Sequence, residues 1–196
     1  MKNRKHLDLG CGSNPRNPFL AEDLHGIDIG DRSNLYKQKN ITYVDCNLIL
    51  NKIPYPDNYF DSVSAYDFFE HVPRVMCIDG ATCLPYINLM SEIYRVLKDG
   101  GRLLAITPCY PMESAFVDPT HVNFISKNTY KYFSNPHVWA KMYGFVGQFS
   151  INKVKQVNFD TVVNKSTPIK NLIKEIFNLI YPKRKQHVLW DFNACK

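Results

Sequence analysis

The feature that most constrains this chain is a series of short apolar runs, most of them leading into a glycine or a carboxylate. Lys5–Leu9 leads into Gly10-Cys11-Gly12, Gly26–Ile29 carries Asp28, and Ile41–Val44 is followed by Asp45. Phe60–Ala65 is followed by Tyr66-Asp67, and Arg102–Thr107 by Pro108. Runs of this length bounded by turn residues read as buried strands. Between the last two lies an amphipathic helix. Pro85 stands near its start, and Tyr86, Leu89, Met90, Ile93 and Leu97 form its apolar stripe. Lys98-Asp99-Gly100-Gly101 is expected to end it as a glycine cap. Strands alternating with helices predict an α/β fold, a doubly wound and mostly parallel sheet covered on both faces. A later strand is expected within Phe145–Val163, and a last one at His187–Asn193 closes the sheet. Ser126 with Lys127–Phe133 suggests a short helix, and Asn135-Pro136 marks a turn. Met76–Cys83 fits neither period.

In an open α/β sheet, ligands bind beyond the carboxyl ends of the strands. The residues predicted there are Asp8, Gly10, Cys11 and Gly12 after the first strand, Asp28 and Ile29 after the second, Asp45 and Cys46 after the third, and Tyr66 after the fourth. The glycines allow a tight turn and a close approach of backbone amides to a ligand. Asp28 can accept hydrogen bonds from both hydroxyls of a ribose, and Asp45 can meet an exocyclic amine or cap the next turn. Cys11 and Cys46 either line the site or fill small spaces. A nicotinamide fingerprint, G-x-G-x-x-G, would put its third glycine where Pro15 stands, and proline has no amide to offer a pyrophosphate. A dehydrogenase is therefore the weaker reading.

Asp8-Leu9-Gly10-Cys11-Gly12, Gly26-Ile27-Asp28, Ile53-Pro54-Tyr55-Pro56-Asp57-Asn58-Tyr59-Phe60-Asp61, Glu70-His71-Val72 and Leu97-Lys98-Asp99-Gly100-Gly101 occur in order and at ordinary spacing. Together they resemble the successive motifs of class I S-adenosylmethionine-dependent methyltransferases, and are most similar to the small bacterial type 11 family. The resemblance implies a Rossmann-like methyltransferase fold of seven strands with the last antiparallel, and S-adenosylmethionine as cofactor. It implies that Gly10 and Gly12 pack on the methionine part, Asp28 holds the ribose and Asp45 lies by the adenine. The third loop glycine common in the family is Asn14 here. With the first strand starting almost at Met1, the segments after Thr107 are expected to cover the acceptor pocket.

Methyl transfer to a hydroxyl needs a base or a metal, because a neutral alcohol is a poor nucleophile. The candidates are Glu70, His71 and His121, with Asp67 and Asp118 beside them. If Asp67–His71 forms one helical turn, Asp67 shares a side with Glu70 and His71. The acid-x-x-Glu-His pattern with a distant histidine resembles the metal site of ubiquinone-pathway O-methyltransferases and small-RNA 2′-O-methyltransferases, although Asp67 is shorter than the Glu found there. A divalent metal such as magnesium or manganese is one reading; His121 as a base or acceptor-positioning group is another, and a histidine capping its own loop is the plain one. Tyr110 and Phe116 either wall the pocket or belong to the core.

The six cysteines form no C-x-x-C pair, so reduced thiols are expected. No run is long enough to span a membrane and the amino terminus carries no apolar leader, which predicts a cytoplasmic protein of a single domain over 1–196. The net charge of +6 is concentrated: residues 151–196 hold 9 Lys/Arg against 3 Asp/Glu, while the first 150 residues balance at 15 each. The excess lies around a predicted amphipathic helical insert at about 167–185. Ile169, Leu172, Ile173, Ile176, Phe177 and Ile180 make its apolar stripe, and Lys183-Arg184-Lys185 follows it. This insert packs on the domain, on a second copy as a homodimer, or on an anionic membrane surface. With no basic stripe or RNA module, nucleic acid is disfavoured as a partner. The predicted function is methyl transfer to an oxygen of a small-molecule or carbohydrate acceptor, since similar short proteins are associated with surface-polysaccharide synthesis. The alternatives are a cofactor-binding regulatory or scaffold protein without turnover, and an RNA methyltransferase.

Overall fold

Alternate residues of the first strand, β1 (Lys5–Leu9), meet two different environments, as the two-residue period of a strand requires. The computed structural model describes residues 3–37, 41–159 and 185–196. The further strands are β2 (Asp23–Asp28), β3 (Thr42–Asp45), β4 (Phe60–Tyr66), β5 (Met76–Ile78), β6 (Ala81–Cys83), β7 (Leu97–Pro108), β8 (Phe149–Val157) and β9 (His187–Ala194). Seven of them form one sheet in the order β3-β2-β1-β4-β7-β9-β8. The pairs from β3 through to β7 are parallel, and β9 runs antiparallel to both β7 and β8. This is the seven-stranded, mostly parallel sheet with an antiparallel last strand that the sequence predicts.

One face is hydrocarbon. Leu7 and Leu9 of β1, Val63 and Ala65 of β4, Leu103 and Ala105 of β7, and Trp190 and Phe192 of β9 are buried there in a single core. Helix α2 (Pro85–Val96) covers it with Leu89, Met90, Ile93 and Val96. The other face is polar over β1 and the start of β4, and carries a smaller apolar cluster of Tyr66, Ile106, Val157 and Leu189 beside it. His6 sits fully buried with its ring nitrogens 2.7 and 2.8 Å from the hydroxyls of Ser62 and Ser64. Segment 10–22 lies over this face, where Phe19 meets the His6 ring edge-on and stacks under the Arg102 guanidinium. A short helix, α1 (Ser33–Lys37), follows β2.

Several local expectations change. Helix α2 ends at Val96, because Leu97 is already extended (φ −70°, ψ 143°) and paired with Phe60. Gly100 (φ +69°) and Gly101 therefore do not cap the helix; they shape an irregular start to β7, where the register slips between Phe60 and Ser62. A Cβ on Gly101 would stand 2.8 Å from the Lys98 carbonyl oxygen, which explains why glycine is needed there. Met76–Cys83 is an antiparallel hairpin turning at Asp79-Gly80, both at positive φ. The helix expected after Ser126 is only a 3₁₀ turn at Thr129–Tyr132. The insert at 167–185 lies outside the described residues, apart from Lys185. Among the described residues, no helix is long and apolar enough to cross a membrane.

Candidate active site

The glycine loop is set by a buried carboxyl beneath it. Asp8, 1% exposed, accepts the Ser64 hydroxyl (2.5 Å) on one oxygen and the Arg16 amide (2.8 Å) on the other. Burial pushes its pKa up to about 7. Gly10 turns at φ +61°, and a Cβ there would lie 2.6 Å from the Phe68 ring. Gly12 turns at φ +58° with open space where a Cβ would be, and its amide donates to Asp28 (2.7 Å). The second oxygen of Asp28 accepts the Ile29 amide (2.7 Å), and Arg32 stands 3.5 Å away. Asp45 accepts the Gly30 amide (2.8 Å), while the Cys46 amide donates to the Asp28 carbonyl (3.0 Å). The predicted loop residues thus form one contiguous hydrogen-bonded rim across the ends of β1, β2 and β3.

Cys11 is buried, with its amide on the Ile27 carbonyl (3.1 Å) and its thiol pushed up to about 12 by burial. Cys46 is half-buried beside Asp45, and its thiol is also raised by burial. Tyr66 points to the polar face of the sheet under the Arg16 guanidinium (4.5 Å). Two residues that sequence reasoning does not single out complete the rim. Tyr36 hydrogen-bonds the Gly12 carbonyl and stacks on Tyr43 (4.7 Å), and Tyr43 bonds the Gly30 carbonyl. A polar tip on each of two stacked rings is readable only with the fold in hand.

The second group of residues lies after β4 and β7. Phe69–His71 forms a 3₁₀ turn, and the amides of Val122 and Asn123 both donate to the Glu70 carbonyl (2.9 Å each). That clamp brings Glu70, His71 and His121 together, with one donor atom from each within 4.8 Å of the other two. Glu70 is 1% exposed; one carboxyl oxygen accepts the Thr107 hydroxyl (2.8 Å) and the other is buried without a partner. Burial pushes Glu70 up to about 8, so it holds a proton at neutral pH. The Thr120 hydroxyl donates to Asp118 (2.7 Å) and therefore accepts from His71 Nδ1 (3.0 Å). This order assigns His71 a lone pair on Nε2. The His121 ring stands 4.9 Å from that of His71, with Nδ1 3.4 Å from the Ala115 carbonyl and Nε2 3.9 Å from Asp118.

Asp67 does not join this group. It adopts a left-handed backbone (φ +46°) and turns its carboxylate to His187, 3.2 Å away at the start of β9. The sequence expectation of a shared helical side fails because the 3₁₀ turn begins only at Phe69. His187 is not foreseeable, since nothing in the sequence links positions so far apart.

A family described as "Methyltransferase domain", type 11, matches residues 7–105. The demethylmenaquinone methyltransferase of Geobacillus sp. (strain WCH70) is 27% identical over 124 residues, covering 56% of this chain and 47% of that protein. The ubiquinone/menaquinone biosynthesis C-methyltransferase of Psychromonas ingrahamii is 34% identical over 91 residues, covering 45% of this chain and 31% of that protein. The chain therefore matches under half the length of either relative. Among solved structures, an S-adenosylmethionine-dependent methyltransferase from Archaeoglobus fulgidus superposes with a TM-score of 0.57 at 19% identity, covering 98% of this chain and 86% of that one.

Proposed function

This chain belongs to the type 11 family of methyltransferase domains, and from that premise we propose that it transfers the methyl group of S-adenosylmethionine to an oxygen of a small acceptor held at Glu70, His71 and His121. The observation that carries the reading is a glycine rim beyond β1, β2 and β3, fit for the cofactor, with a carboxyl–imidazole group following the neighbouring strands β4 and β7, fit for the acceptor. The rim fits because Gly12 leaves open space at its Cβ position, and because Asp28 and Asp45 end neighbouring strands. Each carboxylate oxygen that accepts one amide has a further lone pair for a ribose hydroxyl or an exocyclic amine.

The bound cofactor supplies an activated methyl on a sulfonium, and the protein's share is alignment, exclusion of water and handling of one proton. His121 takes the proton from the acceptor hydroxyl. His71, oriented through Thr120 and Asp118, presents its Nε2 beside it. Protonated Glu70 offers a hydrogen bond to the acceptor oxygen from its unpartnered side. A carbon acceptor is a second reading, favoured by the Psychromonas ingrahamii relative, which is named a C-methyltransferase. A divalent ion is a third, favoured by the convergence of one carboxyl and two imidazoles, donors that suit magnesium or manganese less than a softer first-row ion. Carbohydrate as the acceptor rests on the family resemblance alone.

Calorimetric titration of the purified chain with S-adenosylmethionine tests the cofactor half. Asp28→Ala should weaken binding by roughly 1.5–3 kcal/mol, the range for hydrogen bonds to a charged group. Tighter binding of NAD than of the methyl donor would overturn the reading. Metal titration of the same sample separates the base from the ion: heat on adding Mn²⁺ or Zn²⁺ that disappears in both Glu70→Ala and His121→Ala favours the ion.

A further inference from the structure

A cavity of about 590 Å³ opens beside the Glu70–His71–His121 group, a volume ordinary for a small-molecule site. The two share a wall. Arg74 lines the cavity and donates from Nε to the Asn123 side chain (2.7 Å), and Asn123 donates in turn to the carbonyls of Phe69 (3.0 Å) and Glu70 (2.9 Å). Phe124, also lining, follows Asn123 directly, so a molecule in the cavity lies against the strand of chain that carries His121.

The walls are rings and hydrocarbon. Tyr110, Phe124, Tyr132 and Tyr143 are between 39% and 57% exposed and ring the opening, and Phe116 extends it by stacking on Phe124 (4.7 Å). Deeper in stands Tyr86, wedged edge-on between Phe69 (5.6 Å) and Phe133 (5.4 Å), with its hydroxyl buried and unpartnered. A hydroxyl left so carries a desolvation cost that a ligand oxygen reaching it would recover. Ser126 and Thr129, the lining hydroxyls that are not phenolic, are bonded to each other (3.1 Å). A sugar, with a hydroxyl on nearly every carbon, would have to share four phenolic tips and a guanidinium already bonded to Asn123 and Phe124. A flat ring gains offset and edge contacts from every side.

We propose that this cavity binds a planar aromatic molecule carrying a hydroxyl or carbonyl oxygen, and that this is the body of the methyl acceptor. The second clause rests on the transfer reading above; ring binding itself does not need turnover.

The test uses 1-naphthol as the probe and methyl glucoside as its rival, each titrated by calorimetry into the intact chain with and without S-adenosylmethionine. The native protein is expected to bind 1-naphthol and not the glucoside. Ile87→Trp, which fills the cavity from α2, should weaken 1-naphthol at least about tenfold. Tyr110→Ala, at the exposed mouth, should weaken it about threefold to tenfold, the worth of one aromatic contact. Both variants should keep native affinity for the methyl donor, which also shows that they are folded. Stronger binding of the glucoside, or 1-naphthol affinity unchanged in both variants, would overturn the proposal. Retained 1-naphthol binding by a native chain that takes up no methyl donor would support the ring site while sinking the transfer reading.

Discussion

A buried carboxyl with one oxygen bonded and the other bare ties its own charge to the stability of the molecule. Glu70 is such a group, raised by burial from an ordinary 4.5 to about 8, and Asp8 is another buried carboxyl, raised from 3.8 to about 7. In the folded chain both stay protonated over a range where the unfolded chain releases the proton. The stability that these two carboxyls contribute is therefore greatest below about pH 3.8, falls as pH rises, and is gone above about pH 8. A tenfold difference in proton affinity between the folded and unfolded chain is worth about 1.4 kcal/mol at most. Glu70→Gln keeps an acceptor for Thr107 and removes the proton, so its unfolding free energy should decline less between about pH 5 and 8, and at about pH 8 it should exceed the native value by about 1–3 kcal/mol. Denaturant titrations at a series of pH values check this; equal slopes in the two proteins would contradict it. His121 makes a kinetic prediction. His121→Ala should hold near-native affinity for the methyl donor while turnover falls roughly 10²–10⁴-fold, the usual worth of a general base. Unchanged turnover would leave the histidine a loop-capping role.

The glycine turn after β1 separates two effects that a single substitution usually mixes. Gly10 and Gly12 share a left-handed backbone, but only Gly10 faces a neighbour, the Phe68 ring. Both alanine variants lose about 1–2 kcal/mol to the backbone alone. Gly10→Ala should lose more, with a melting temperature clearly below that of Gly12→Ala. Gly12→Ala should show the larger loss of cofactor affinity, because its added methyl enters open space at the rim. A reversed order on either measurement would show that the open side of the loop has been misplaced. Legible in the sequence were β1, β4 and residues 102–107 of β7, as short apolar runs bounded by turn residues, and α2, from apolar residues three and four apart. The glycines at Gly100 and Gly101 misled because a helix cap and a strand bulge call for the same residue. Glu70, His71 and His121 could be named as candidates. Their convergence could not, since it depends on two amides of residues 122 and 123 finding one carbonyl. Tyr36, Tyr43 and His187 were invisible for the same reason, each acting through a contact made only by the folded sheet.

At the scale of the whole molecule, the positive charge is concentrated late in the chain, in the stretch that also supplies β9 and most of β8. Residues 151–196 carry the excess of Lys and Arg. If the basic run meets an anionic surface, vesicles containing phosphatidylglycerol should retain the protein at low salt, and charge-neutral substitution of Lys183, Arg184 and Lys185 should release it. Equal recovery on neutral and anionic vesicles, with a dimer seen by sedimentation, would assign the stripe to a second copy instead. The sheet is arranged so that this question can be asked cleanly. The ladder between β8 and β9 closes with Val157 opposite His187, and Phe159 packs on the His187 ring (5.2 Å). The chain therefore leaves and re-enters the sheet at nearly one point. Lengthening or shortening the excursion between those points changes the entropy of closing it only logarithmically, about 0.6 kcal/mol per doubling. A chain in which a short glycine-rich bridge replaces residues 160–184 is accordingly expected to keep the pairing of Val157 with His187, which a melting temperature close to native would bear out. At that junction the two arms of the β8–β9 ladder stand close enough for connections of very different length to join them.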